Sequence, residues 1–295
     1  MANLKDIRTR INSVKTTRQV TSAMKMVSAA RLKKAQDDIS HIRPYTSRLA
    51  SIIYNLNGCM GERLTSRFSQ PGKGKRILIL AVASNRGLCG GFNINVVKTI
   101  QQMVMHDHYN EFRNGEVVVG VMGKQAQKML KMRGIPVTFE YNDLIQHPTF
   151  EHASRLANQL MDDFANGEFK EVILVYNEFV NAAVQEVKHY QYLPFSIPLP
   201  DEKTGLANDF ILEPDPLSII QTLIPKMMRT MLFQVMLESQ ASEHGARMTS
   251  MHKATDNATE LVKELQLSYN KARQTAITNE IMEITGGAEA LKGGG

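Results

Sequence analysis

From Leu4 to Asn57 the chain contains no glycine and a single proline, Pro44, so this stretch predicts one long helix that only Pro44 could kink. Its apolar residues recur at Leu4, Ile7, Ile11 and Val14, and again at Ala35, Ile39, Ile42, Leu49, Ile53 and Leu56. That three-four spacing makes a narrow seam, which suits a coiled coil. Between the two runs lies KTTRQVTSAMKMVSAARLKK (Lys15 to Lys34), helix-permissive but built of small, basic and methionine side chains. It has too little apolar surface to be buried by one partner and should touch something polar. Met1 to Asn57 carries eleven Lys and Arg against Asp6, Asp37 and Asp38, a net charge of +8 where the whole chain has +6. The first segment therefore expects an acidic neighbour.

A second long helix is signalled near the other end. In Glu213-Pro-Asp-Pro-Leu217 the aspartate is a good N-cap and Pro216 suits the first helical position. The seam resumes at Leu217, Ile220, Ile224, Met227 and Met231, and later at Ala258, Val262, Leu265, Tyr269, Ala272, Ala276, Ile277, Ile281 and Ile284. Pro225 is expected to bend the first turns, Gly245 to loosen the middle, Gly286 and Gly287 to mark a fraying end, and Gly293 to Gly295 to be disordered. The resulting division is a shaft helix over 1–57, a central base over 58–213, a second shaft helix over 214–291 and a tail over 292–295.

At about 1.5 Å per residue these helices would run roughly 80 Å and 105 Å, whereas a domain of about 140 residues has a radius of gyration near ~14 Å. Neither helix fits inside the globule, so the two should pair antiparallel. With Asn57 near Asp215, position n lies opposite about 272 minus n, which sets Met24 beside Arg247 or Met248 and Leu4 beside Ser268. The last ~20 residues then project about 30 Å past the partner's start, leaving Ile277, Ile281 and Ile284 without intramolecular cover. An exposed apolar stripe on a lone helix tip calls for a socket in another protein.

Between the helices, RILILAVA (Arg76 to Ala83), VVVGVMG (Val117 to Gly123), VTFEY (Val137 to Tyr141), EVILVYNEF (Glu171 to Phe179) and VQEVKHYQYLPF (Val184 to Phe195) read as strands. Helical stretches at Ile94 to Phe112, Lys124 to Met132 and Glu151 to Ala165 alternate with them. The fold class is therefore α/β: a long antiparallel coiled coil of N- and C-terminal helices plus a mostly parallel, Rossmann-like α/β domain.

Signals of chemistry are weak. SNRGLCGGFN (Ser84 to Asn93) follows a strand and precedes a helix, the setting of a phosphate-binding turn, but Gly87, Gly90 and Gly91 match neither GxGxxG nor the Walker pattern. It reads as a structural turn. Gly72-Lys-Gly-Lys75 precedes a strand and reads as an exposed loop. Cys59 and Cys89 have no metal-ligand or redox spacing and read as free thiols; the eight histidines, His106, His108 and His147 among them, show no HExxH pattern. No GxSxG elbow is present. No catalytic, cofactor-binding or metal-binding residue is therefore assigned. The longest apolar run, Ile77 to Ala83, is far short of the ~20 residues that cross a bilayer, and the first residues lack a secretory signal. The basic first helix could neutralise phosphates, but with no tryptophan and only Tyr45 and Tyr54 as aromatics in it, nucleic acid is not the expected partner.

Three blocks, LKDIRTRINSVKTTRQVTSAMKMVSAARLKKA (Leu4 to Ala35), SNRGLCGGFN (Ser84 to Asn93) and the stretch from SEHGARMTS to GGAEAL (Ser242 to Leu291), resemble the gamma subunits of bacterial F-type ATP synthases, in order and over the whole chain. The resemblance implies a non-catalytic rotor. Its helical pair would sit inside a ring of three alpha and three beta subunits, and its base would bind the epsilon subunit and the membrane c-ring. It places Met24 and Lys25 at an acidic loop of beta, with Arg247 supporting them from the facing helix, a neighbour the register count also gave. Arg273, Gln274 and Thr278 match the contact with the catch loop of beta, and Ile277, Ile281 and Ile284 become the tip held in an apolar bearing. The implied location is the cytoplasmic face of a bacterial inner membrane, peripherally through the c-ring. Two other readings stay open on the residues alone: a nucleotide-binding α/β enzyme with helical arms, for which ATP or ADP binding would speak, and a basic coiled-coil scaffold, for which salt-sensitive DNA binding would speak.

Overall fold

The computed structural model describes residues 4–59, 66–182, 184–196, 212–213 and 215–292. The elements run α1 (Leu4–Cys59), β1 (Arg76–Val82), α2 (Phe92–Gln102), a π-helical turn (Met103–Asp107), α3 (Tyr109–Arg113), β2 (Val117–Met122), α4 (Lys124–Met132), β3 (Phe139–Glu140), α5 (Phe150–Ala165), β4 (Phe169–Phe179), β5 (Gln185–Leu193) and α6 (Pro216–Lys292). They form two units. One takes in Ser28–Arg247, and the other joins the stretch up to Val27 with that from Met248 onward.

In the first unit the strands order as β3-β2-β1-β4-β5. β1 pairs parallel with β2 and β4, β2 pairs parallel with β3, and only β5 runs antiparallel, on β4. β1 is a continuous apolar run because both faces of the sheet are covered. Leu78, Leu80 and Val82 point into one core with Leu49, Ile53 and Leu56 of α1, Leu156, Leu160 and Phe164 of α5, and Ile220 to Met236 of α6. Ile77, Ile79 and Ala81 point into the other, against Val96, Val97 and Ile100 of α2 and Ala126 and Leu130 of α4. Each large aliphatic side chain so buried contributes roughly 1.5–3 kcal/mol. Along α1 and α6 the partners fall in opposite order: Arg43 meets Glu238, and Tyr45 lies under the Lys226 ammonium. The two helices are antiparallel here.

α6 begins as its sequence dictates. Asp215 Oδ1 accepts from the Ser218 backbone N–H at 2.9 Å and Oδ2 accepts from the Ser218 hydroxyl at 2.6 Å, bonds that hold the Asp215 carboxyl below the usual carboxylate range. Pro225 and Pro44 lie inside their helices, which continue through both.

Several expectations shift. The single helix expected over Ile94 to Phe112 is α2, a π turn and α3: the His108 N–H reaches back five residues to Met103 O, which inserts one extra residue into the ladder. The third strand is two residues rather than five, yet Thr138 N–H and Tyr141 N–H still donate to Val119 and Val121 of β2. Gly286 and Gly287 do not end α6, which runs on to Lys292. Gly245 marks a close approach rather than a loose point, since a Cβ there would lie 3.2 Å from Ala182 O. Cys89 is free and buried. The Cys59 side chain, residues 60–65 of the loop that follows it and the Gly293 to Gly295 tail lie outside the described residues. No helix among the described residues is long and apolar enough to cross a membrane.

Candidate functional site

Strand order reverses direction between β1 and β4, and in open α/β sheets the crevice at the carboxyl ends of such strands is where ligands bind. In this chain α6 packs into it. Ser242 Oγ donates to Asn177 O at 3.1 Å, at the end of β4, and Ser239 Oγ reaches Val82 O of β1 at 3.5 Å. One turn on, Arg247 Nη2 donates to Arg86 O at 3.2 Å and Nε to Gly87 O at 3.4 Å, while Nη1 pairs with Glu243 at 2.6 Å. The glycine-rich turn thus offers α6 its carbonyl oxygens. A phosphate cradle would instead require N–H groups aimed at the crevice.

The turn is fixed from within by Asn93. Its Oδ1 accepts from the Ser84 backbone N–H at 3.0 Å and its Nδ2 donates to the Cys89 sulfur at 3.1 Å. Leu88 and Gly90 take positive φ, 64° and 57°, to close the loop. Burial pushes the Cys89 thiol up, so the neutral thiol and not the nucleophilic thiolate is favoured there. Glu243 is likewise pushed up by burial, against the pull of Arg247, and His244 is pushed down to about 4 by burial and then by Arg247 and Arg31. Among the described residues no group of three or more His, Cys, Asp or Glu side chains could hold a metal ion.

In the second unit the helices meet through small polar residues. The hydroxyls of Thr21 and Thr255 are 2.9 Å apart. This pair sets the register at 276 minus n, one helical turn beyond the 272 expected. α1 runs to Cys59 rather than Asn57 and α6 begins at Pro216 rather than Asp215, which accounts for three of the four residues. By that count Met24 comes level with His252, not Arg247, and Leu4 with Ala272. Arg247 belongs to the other unit and is held there by Glu243 and the two turn carbonyls.

Met24 and Lys25 are half-buried, while Val20, Met26 and Val27 are exposed. Ile11, Met251, Ala258 and Val262 are the buried seam. From Arg273 on, α6 has no residue of α1 level with it among the described residues. Arg273, Gln274 and Thr278 are exposed, as are Ile277, Ile281 and Ile284, at 47 %, 55 % and 65 %. These six lie on one helix at successive spacings of one or three residues. Sequence reading missed the Arg43–Glu238 and Glu243–Arg247 pairs, because charged residues at those positions look like any exposed helix surface until the packing is known.

These contacts define a class: an α/β protein whose switch-point crevice is closed by its own C-terminal helix, and whose chain-terminal helices pair again in a second unit. A family model described as ATP synthase matches residues 3–291. The chain is 48 % identical to the ATP synthase gamma chain of Flavobacterium johnsoniae over 99 % of its own length and 100 % of the relative's. It is 42 % identical to that of Chlorobium phaeobacteroides, over 99 % and 100 %. It belongs to the ATP synthase gamma chain family. Two solved structures share its fold: a chain of the Euglena gracilis mitochondrial ATP synthase OSCP/F1/c-ring in rotational state 3 (TM-score 0.67, 20 % identity, 99 % of this chain and 95 % of that one) and one of the Tetrahymena thermophila mitochondrial ATP synthase central stalk and c-ring (TM-score 0.57, 23 % identity, 80 % and 99 %).

Proposed function

We propose that this gamma chain is the rotating central shaft that couples ion flow through a membrane c-ring to ATP synthesis or hydrolysis in a ring of alpha and beta subunits. The chain itself supplies no catalytic group: nucleotide chemistry belongs to the ring, and rotation biases each beta site through differential contact with its conformations. The base, residues 58–213, binds the epsilon subunit and the c-ring, which holds the chain peripherally at the cytoplasmic face of a bacterial inner membrane. Residues 1–57 and 214–291 form the shaft, with 292–295 as a tail. Met24 and Lys25 meet an acidic loop of beta, and Arg247, on the facing helix, contributes to the same contact. Arg273, Gln274 and Thr278 meet the catch loop, and Ile277, Ile281 and Ile284 are the tip in its bearing.

The observation that carries this reading is the run from Arg273 onward, a helix with apolar residues at three-four spacing, exposed and with no facing residue of α1 among the described residues. Such a stripe on a helix tip marks a surface for another protein to cover. The experiment is Met24→Lys in the complete synthase reconstituted in membrane vesicles. The added charge at a sliding contact is expected to lower the ATP made per ion moved, and unchanged coupling would remove Met24 from the contact.

A further inference from the structure

The unit formed by Ser28–Arg247 holds a cavity of about 640 Å³, in the size range of small-ligand sites. It opens at the carboxyl ends of β1, β2 and β3, the side of a parallel sheet where ligands bind. Four cationic side chains line it from three separate places: Arg31 and Lys34 from α1, Arg86 from the turn after β1, and Lys124 at the first position of α4, whose helix dipole adds to their field. None of the four makes an ion pair among the described residues. Two carboxylates share the wall: Glu243, paired with Arg247 at 2.6 Å and also within the field of Arg31 and Arg86, and Asp38, which makes no ion pair among the described residues, so the four cations outnumber the negative charge beside them. Behind them, Ile145 and Leu237 give a buried apolar floor.

Cations gathered by unrelated segments around one concavity repel each other, and the arrangement is relieved when a multiply charged anion enters. We propose that this cavity binds a small polyphosphate anion, with its phosphates among Arg31, Lys34, Arg86 and Lys124. The convergence of four cations on one concavity favours a compact, multiply charged ligand over an extended acidic peptide, and the apolar floor can take the nucleoside of a nucleotide. His244 also lines the cavity, where burial first and then Arg247 and Arg31 disfavour its protonated form. The site adjoins the crevice closed by Ser239, Ser242 and Arg247, with Arg86 and Glu243 lying against both, and the proposal does not depend on the shaft reading.

The test is calorimetric titration of the full chain, at low salt, with pyrophosphate and with ATP. Both are expected to bind, and Lys34→Glu and Lys124→Glu are each expected to weaken binding by at least about tenfold, the loss of a charge-assisted contact. Lys33→Glu, an exposed neighbour outside the cavity, is expected to change affinity less than about twofold. All three positions are exposed, so circular dichroism should show folded variants. Tighter binding of ATP would assign the ligand as a nucleotide, and equal binding as a free polyphosphate. Absence of binding by both probes, an equal loss with Lys33→Glu, or displacement of pyrophosphate by a short glutamate peptide would overturn the proposal.

Discussion

Arg43 Nε lies 3.1 Å from Glu238 Oε1, and the carboxylate it reaches is only 2 % exposed. The same guanidinium donates to Phe179 O at 3.0 Å, and Gln234 adds a bond to Glu238 at 2.9 Å, so one arginine ties α1, α6 and the end of β4 together. The second carboxylate oxygen has no partner among the described residues. Removing Arg43 therefore leaves a buried charge uncompensated, and Arg43→Ala is expected to lower stability by about 2–4 kcal/mol in urea unfolding of the full chain. Because Arg43 itself is partly exposed, Glu238→Gln should lose only about 1 kcal/mol. Arg43→Ala with Glu238→Leu should recover most of the loss. A single-variant midpoint equal to the parent's would mean that water already satisfies Glu238.

Gly245 sits where α6 crosses Ala182, and a Cβ built there would lie 3.2 Å from Ala182 O and 3.4 Å from its Cα. Alanine demands a shift of a few tenths of an ångström. A branched residue demands more, so Gly245→Val is expected to lose about 1–3 kcal/mol through overpacking, despite the better helix propensity of valine over glycine. Thermal unfolding measures it. A more stable Gly245→Val would show that propensity outweighs the close approach.

His244 gives the first unit a signature in pH. Its folded value of about 4 lies below the ordinary 6.5, so between these values the unfolded chain takes up a proton that the folded chain does not. Stability from this group is complete above pH 6.5 and is lost progressively as pH falls toward 4, on the order of 3 kcal/mol in total. Glu243, raised by burial, acts the other way: its contribution falls as pH rises above its ordinary value of 4.5. His244→Gln is expected to flatten the loss between pH 6.5 and 4 in urea titrations, and an unchanged slope would assign that loss to other groups.

Periodicity carried most of the fold. The strands lie where apolar runs placed them, and Asp215 with Pro216 starts α6 as its capping chemistry requires. What escaped were features decided by one extra residue or by packing. The π turn at Met103 has no local signal, because inserting a residue leaves composition and propensity untouched. Gly245 and the Gly286-Gly287 pair looked alike as helix breakers, yet one is a contact and the other simply continues the helix. The register missed by one turn because it was anchored on helix ends, the least certain part of any sequence reading, whereas the Thr21–Thr255 contact fixes it directly. Arg247 was expected beside Met24 on the facing helix; its bonds to the turn at Arg86 and Gly87 depend on contacts across 160 residues that no local pattern encodes.

The exposed run from Ile277 to Ile284 separates the demands of folding from those of assembly. Ile281 and Ile284 touch little of their own chain, at 55 % and 65 % exposure, so Ile281→Asp and Ile284→Asp should alter the stability of the isolated chain by no more than about 0.5 kcal/mol. If the stripe is the tip of the shaft, the same substitutions place a carboxylate in an apolar bearing, where a charge without a partner loses several kcal/mol of hydration. Co-purification with the alpha and beta subunits should then fall sharply for the aspartate variants while Ile281→Leu behaves as the parent. Thermal unfolding of the isolated chain supplies the control. Aspartate variants that assemble and couple normally would leave the apolar spacing at 277, 281 and 284 without a bearing to explain it, and would move the socket elsewhere on the chain.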